Sequence, residues 1–178
     1  MKKSILLLLS IVLLSSCNSI KVATDYDESV DFSKYTTYAF YMPVIDKAEI
    51  SDLDKKRILN AIEKELFIKG FTKSNNPDML ICVFSKSRVK ATVSRGNMVN
   101  SWGWNQYWGY QGNDINVTQY KEGTLFVDFI DTEKKELVWQ GIGTGALRQQ
   151  SKAKKEARIK EFVKEIISKF PKDKNSEV

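Results

Sequence analysis

The pattern of apolar and polar positions predicts several strands in the first half of the chain. Residues 22–26 alternate between the two classes, which is typical of a short strand of the kind found at a sheet edge. Residues 35–41 are rich in aromatic and β-branched side chains and predict a second strand, which Pro43 ends. Residues 79–84 are apolar without a break, so this strand is expected to be central in its sheet.

Two other segments carry apolar residues at helical spacing, so each predicts a helix with one face to bury. The first begins after Ser51, a residue type that caps helix starts, and ends at Gly70, which can adopt the left-handed conformation of a helix end. The second is terminated by Pro171. The apolar stripe of the first helix comprises Ile58, Leu59, Ala61, Ile62 and Leu66. That of the second comprises Ile159, Phe162, Val163, Ile166, Ile167 and Phe170.

Between the helices, the pattern after residue 114 is typical of consecutive strands. Residues 115–118, 124–130 and 137–145 predict three of them. Turns are expected at residues 121–123 and 131–135, which are polar and, in the first case, end in glycine. Strands separated by tight turns form an antiparallel meander.

The order of elements is therefore β-β-α-β-β-β-β-α. Each of the two helices has one apolar face that must be buried against another surface. We therefore expect an α+β fold: a two-layer sandwich with both helices on one face of a mostly antiparallel sheet of about five to six strands. Residues 17–171 are expected to form this single domain, which includes an aromatic and glycine-rich loop at residues 96–113, and residues 172–178 to form a mobile tail.

The amino end of the chain is typical of a targeting segment. Two lysines precede an apolar run over residues 4–14, and eleven residues of helix rise only about 16 Å, too little to cross a bilayer. Residues 1–16 are therefore interpreted as a secretory signal peptide. The run ends in Leu14-Ser15-Ser16-Cys17, which resembles the lipobox of bacterial lipoproteins.

That resemblance implies a diacylglycerol thioether on Cys17, cleavage before this residue, and acylation of the new amino group by a fatty acid such as palmitate. More than one acyl chain makes release from the bilayer slow. Asn18 is not the Asp that retains many lipoproteins at an inner membrane, so by the same resemblance we expect the periplasmic leaflet of the outer membrane.

Composition restricts the chemistry that the chain can perform. It has no His, which removes the commonest general base and metal ligand, so no metal, cofactor or catalytic residue is expected. The net charge of +6 favours anionic envelope surfaces, and an exported protein is not expected to meet nucleic acid. Cys82 lies in an apolar run and is expected to be a buried, inert thiol. Asp128 and Asp131 form a possible carboxylate pair, but with no partner base they are not expected to be catalytic.

Residues 96–112 are the most unusual stretch, because three of the four tryptophans fall within it. Its aromatic residues are Trp102, Trp104, Tyr107, Trp108 and Tyr110. They are candidates for contact with a protein or lipid, or for stacking on the rings of a glycan. The alternatives are an aromatic hairpin packed on its own sheet and a mobile insertion without a ligand.

Two further motifs allow more than one interpretation. Gly141-Ile142-Gly143-Thr144-Gly145 lies in a strand rather than before a helix, so it indicates close backbone packing or a bulge instead of a phosphate-binding loop. The start of the last helix is strongly basic, which fits a solvated face or contact with anionic lipid head groups. Its basic residues are Lys152, Lys154, Lys155, Arg158 and Lys160.

Taken together, these segments resemble bacterial envelope lipoproteins that carry domain of unknown function 4136. The resemblance rests on residues 22–27 and 31–40, Lys69-Gly70-Phe71, residues 77–80, 120–131 and 137–141, and Lys169-Phe170-Pro171. The family has no established activity, so no site residue follows from it. The leading expectation is a non-enzymatic binding or scaffold protein of the cell envelope, with an envelope protein as partner; the alternative is a glycan or peptidoglycan binder that uses the tryptophan-rich loop.

Overall fold

The computed structural model describes residues 20–95, 115–147 and 150–171, which form one sheet layer and one helical layer. The strands are β1 (Lys21–Tyr26), β2 (Thr37–Phe40), β3 (Thr72–Lys73), β4 (Met79–Arg95), β5 (Ile115–Asp131) and β6 (Leu137–Leu147). The helices are α1 (Met42–Ile45), α2 (Asp52–Ile68) and α3 (Lys152–Ser168), and a single 3₁₀ turn spans Phe32–Lys34.

The six strands lie in the order β1-β6-β5-β4-β2-β3. Strands β1, β6, β5 and β4 pair antiparallel, whereas β2 runs parallel to both β4 and β3, so the sheet is mixed. The predicted α+β sandwich is confirmed, with β1 at an edge and β4 inside the sheet, although the sheet is less uniformly antiparallel than expected. The buried faces of α2 and α3 join one hydrophobic core with the strands.

The turn predicted at residues 121–123 is wrong, because this segment lies within β5. Glu122 stays in the strand because its carboxylate bonds to two cations on the facing strand, Arg88 Nε at 2.8 Å and Lys90 Nζ at 2.7 Å. Gly123 pairs with Gly145 of β6. The residues predicted as two strands therefore form one, and β4 continues past its predicted end to Arg95. The antiparallel meander consists of β4, β5 and β6.

Both long helices begin and end as their residue types predict. The Ser51 hydroxyl accepts from the Asp54 amide at the start of α2, and Ser151 accepts from the Lys154 amide at the start of α3. Gly70 follows α2 with a φ of 81°, the left-handed conformation that glycine adopts without a steric penalty. Buried residues of α2 include four of the predicted stripe, while Leu59 is half-buried.

Three glycines of β6 allow α3 to lie directly on the sheet. A Cβ at Gly141 would come within 2.5 Å of Ile166 Cγ2, and one at Gly143 within 2.6 Å of Ile166 Cδ1. A Cβ at Gly145 would meet the Phe162 ring at 2.7 Å. The close packing predicted for this motif is therefore confirmed. Beside it, the ring of Trp139 lies 5.3 Å from that of Phe170, which follows α3.

Candidate functional site

The most prominent cavity in the described part of the chain is a cleft of about 660 Å³ between the first turns of α2 and α3 and the sheet. Its walls come from both helices and its floor from β4, β5 and the end of β6. Six large apolar side chains line it: Ile50, Ile58, Leu125, Leu147, Ile159 and Phe162. This is the composition of a ligand-binding cleft, which is mostly apolar with a few polar groups.

Aromatic rings fill the core at the other end of the helices. There, Trp139, Phe129 and Phe170 pack ring against ring with centroids between 4.5 and 5.3 Å apart. At the cleft end, β5 and β6 present Gly123 and Gly145 to each other, and the space above them is taken by the Leu147 side chain and the Phe162 ring. The cleft lies beside these two side chains, where both helices begin.

A buried carboxylate joins the first turns of the two helices at the rim. The Asp54 side chain is only 12% exposed and accepts from Arg57 at 2.6 Å and from Lys155 of α3. Burial alone would raise the pKa of Asp54, but hydrogen bonds from Lys155, Arg57 and Ser51 hold it below its ordinary value. Asp54 is therefore an ionised structural link between the helices.

The rim carries more positive than negative charge. Three basic side chains and two acidic ones border the cleft on the helical side of the sheet, since Lys86 lies on the opposite face over the Phe126 ring, and Asp54 is already matched by Lys155 and Arg57. Arg158 pairs with Glu161 at 2.9 Å, and its guanidinium lies 5.1 Å from the centre of the Phe162 ring. Lys121 is exposed and makes no ion pair with any described residue. The positive ends of both long helices add to this charge.

Strand register places the cleft at the end of the sheet from which the chain leads back to Cys17. Lys21, the first residue of β1, pairs with Thr144, which pairs with Thr124 beside the cleft. Cys17 precedes Ile20, the first described residue, by three positions, a span of at most about 10 Å. A lipid on Cys17 would therefore hold this end of the domain beside a membrane.

A two-stranded arm extends from the same end. Pairing of β5 with β6 stops at Lys121, but β4 and β5 continue together for six more pairs, up to Arg95 and Ile115. At the usual rise this arm is about 20 Å long. Residues 95 and 115 are thereby brought side by side, so both ends of the segment between them meet at the arm's far end.

Several predicted site residues lie outside the described residues. They are the lipidation site Cys17 and the aromatic residues Trp102, Trp104, Tyr107, Trp108 and Tyr110. The loop at residues 96–113, the signal peptide at residues 1–16 and the tail at residues 172–178 lie outside them too. The roles predicted for these residues and segments stay predictions.

The two aspartates considered as a carboxylate pair hold the fold at separate places. Asp128 accepts from the Gln140 amide at 2.8 Å, and burial raises its pKa. Asp131 accepts from the Tyr35 hydroxyl at 2.7 Å and from backbone amides of the turn that follows. Cys82 faces Asp128 across the strands; it is buried, and burial raises the pKa of its thiol, as expected for an inert cysteine.

Part of the basic charge at the start of α3 is neutralised within the protein. Lys155 pairs with Asp54, Arg158 with Glu161, and Lys160 with Glu156. Lys152 and Lys154 are exposed. The basic face predicted from the sequence is therefore reduced to its first turn and to the rim of the cleft, a site that sequence reasoning missed. Gly123, which lies on the floor of the cleft, was interpreted as a turn residue.

Among the residues that the structure describes, no group of three or more Cys, Asp or Glu side chains is arranged to hold a metal ion. In the same ranges no helix has the length and hydropathy needed to cross a bilayer.

Comparison with known proteins identifies the family. The profile of the domain of unknown function DUF4136 matches residues 22–172, nearly the whole of the mature chain. The chain belongs to the DUF4136 family. A second profile, the prokaryotic membrane lipoprotein lipid attachment site, matches residues 1–18, which include Cys17. This DUF4136 protein is therefore a lipid-anchored protein of the cell envelope. No curated protein matches the chain.

A solved structure shares the fold of this DUF4136 protein at low sequence identity. A PDZ domain protein from Parabacteroides distasonis superposes with a TM-score of 0.53 at 16% identity over 88% of this chain, which spans 37% of that protein's chain. A PelC dodecamer from Paraburkholderia phytofirmans gives a TM-score of 0.46 at 13% identity, covering 84% of this chain and 96% of that one.

Proposed function

We propose that this DUF4136 protein is a non-enzymatic binding protein that works within a few ångströms of the membrane surface, on the periplasmic leaflet of the outer membrane. The observation that carries the proposal is the register of β1. Its first residue lies at the end of the sheet that bears the cleft, and Cys17 precedes Ile20 by only three positions. A binding surface at this end would therefore face the bilayer or its immediate surroundings.

The acidic residues near the cleft and on the sheet support a binding role rather than a catalytic one. Asp54 is held between two cations, and Asp131 is held by a tyrosine and a turn. Catalysis by a general base needs a group whose pKa and contacts leave it available for proton transfer. Hydrogen bonds depress the pKa of both aspartates, which leaves them ionised and engaged.

Crosslinking in intact envelopes tests the proposal. The native protein and a Cys17→Ala variant are crosslinked, captured and compared by mass spectrometry, with membrane fractions separated beforehand. We expect the native protein in the outer-membrane fraction with a defined set of envelope neighbours, and loss of both for Cys17→Ala. An identical neighbour set for the untethered variant, or a native protein without a lipid on Cys17, would contradict the proposal.

The arm favours one alternative, in which the protein binds a glycan of the cell wall. Its two strands bring together the ends of a segment that holds three of the four tryptophans, and aromatic rings stack well on sugars and other flat apolar groups. Replacing Trp102, Trp104 and Trp108 by Ala should then abolish retention on purified peptidoglycan without changing the melting temperature. Retention equal to that of the native protein would end this alternative.

A further inference from the structure

We infer that the cleft binds an anionic membrane phospholipid, with an acyl chain between the helices and the phosphate at the rim. This inference deepens the proposed function, since it names a ligand for the surface that the tether holds against the bilayer. Three independent features of the described residues carry it: the lining of the cleft, the charge of its rim and its position relative to the anchor.

The lining suits a hydrocarbon chain. Ile58 of α2, Ile159 and Phe162 of α3 and Leu125 of β5 all line it. Transfer of hydrocarbon from water to such a surface is favourable. The volume of about 660 Å³ lies within the range of small-molecule sites.

The rim suits an anionic group. Lys121 lies at the mouth without an ion pair among the described residues, and the first turns of α2 and α3 direct their positive ends to the same place. The two carboxylates there are Glu49 and Asp54, and Asp54 is matched by Lys155 and Arg57. Because Lys155 and Arg158 are engaged by carboxylates, the side chain that a phosphate would contact is Lys121.

The position of the cleft identifies the source of the ligand. It opens at the end of the sheet where β1 begins, four residues after the lipidated Cys17, so the molecules nearest to it are membrane lipids. The diacylglycerol on Cys17 itself matches the apolar lining, but it carries no phosphate for the rim. A separate phospholipid matches both parts of the site.

The test uses the chain from residue 18 onward, which retains every strand and helix described. This protein is incubated with vesicles of phosphatidylglycerol or phosphatidylethanolamine, re-isolated, and examined by native mass spectrometry for bound lipid. We expect one phosphatidylglycerol per chain and about tenfold less phosphatidylethanolamine, a ratio that corresponds to about 1.4 kcal/mol.

Variants assign the two parts of the site. Ile159→Trp should fill the cleft and abolish binding of both lipids, and Leu147→Trp, at a 51% exposed position of the mouth, should do the same if the first variant is unstable. Lys121→Glu should remove the preference for phosphatidylglycerol. The matched controls are Leu53→Trp, at a 68% exposed position of α2, and Lys34→Glu, in the 3₁₀ turn away from the cleft; both should bind as the parent does.

Three results would overturn the inference. The first is that no lipid is bound. The second is that lipid binding survives in folded Ile159→Trp and Leu147→Trp. The third is that the unlipidated chain binds lipid but the Cys17-lipidated protein does not, because the lipid on Cys17 would then be the occupant of the cleft. None of these results changes the crosslinking outcome expected for a tethered binding protein, so failure of the lipid site and failure of the proposed function are distinguishable.

Discussion

The Tyr35 hydroxyl donates a 2.7 Å hydrogen bond to Oδ2 of Asp131, between residues 96 positions apart in the sequence. It ties the loop that precedes β2 to the turn that follows β5. Oδ1 of the same carboxylate accepts from the amides of Glu133 and Lys134, both at 2.8 Å. One side chain thus organises the end of the sheet opposite the cleft.

Removing this hydroxyl should destabilise the fold. Tyr35→Phe leaves one oxygen of a buried carboxylate without its donor, and an unsatisfied group of this kind costs about 1–3 kcal/mol. Urea unfolding followed by circular dichroism measures the loss. Tyr41→Phe, at a 41% exposed position, is the control and should unfold at the same urea concentration as the parent. Equal stability of the two variants would show that the Tyr35 bond contributes nothing.

A methyl group on one of the three β6 glycines that contact α3 should force this helix away from the sheet. In Gly141→Ala the new Cβ would overlap the Trp139 ring, which is fully buried, and strain in a packed core costs about 1–3 kcal/mol. In Gly123→Ala the new Cβ would meet the half-exposed Leu147 side chain at 2.8 Å, which can move aside. Thermal unfolding should therefore give a clearly lower Tm for the first variant, and a larger drop for the second would contradict the account.

The link between the helix starts should make stability depend on acid pH. Because the folded-state pKa of Asp54 is lowered, its contribution is present above its ordinary pKa of 3.8 and is lost as the pH falls through the folded value. Asp54→Asn should therefore reduce the free energy of unfolding at pH 7, by about 1–3 kcal/mol, and the difference should shrink below pH 3.8. Asp52→Asn, at a 98% exposed side chain, is the control. If Asp54→Asn reduced the free energy of unfolding by the same amount at every pH, the lowered pKa of Asp54 would be contradicted.

Asp128 should show the opposite dependence. Burial raises its folded-state pKa above 3.8, so the folded protein binds its proton more tightly than the unfolded chain, and stability falls as the pH rises through these values. Asp128→Asn keeps an oxygen that can accept from Gln140 and removes the buried charge. This variant should be more stable than the parent at pH 7 and equal to it in strong acid, as measured by unfolding at both pH values. A loss of stability at pH 7 would contradict the prediction.

The sequence allowed prediction of the elements whose residue types act locally. Ser51 caps a helix through its own hydroxyl, Gly70 adopts a left-handed conformation that other residues avoid, and the spacing of apolar residues sets the buried face of α2 and α3. Each of these signals lies within a few residues of the structure that it determines. For this reason the start of α2 was predicted correctly.

The errors arose where distant partners decide the local structure. Lys121, Glu122 and Gly123 have the residue types of a turn, but Glu122 finds Arg88 and Lys90 on the facing strand, and Gly123 faces Gly145. The two-residue strand β3 exists only because it pairs with β2. The cleft was missed for the same reason, since its lining comes from both helices and from three strands that are far apart in sequence.

The direction in which β1 runs also determines how the domain bears mechanical load. Six consecutive residues of this strand pair with β6, and their hydrogen bonds lie across the strand axis. A pull on the lipid-linked end acts along that axis, so it shears all six pairs at once instead of opening them one by one. We therefore expect β1 to resist a pull on its lipid-linked end more strongly than a strand whose pairs open one after another.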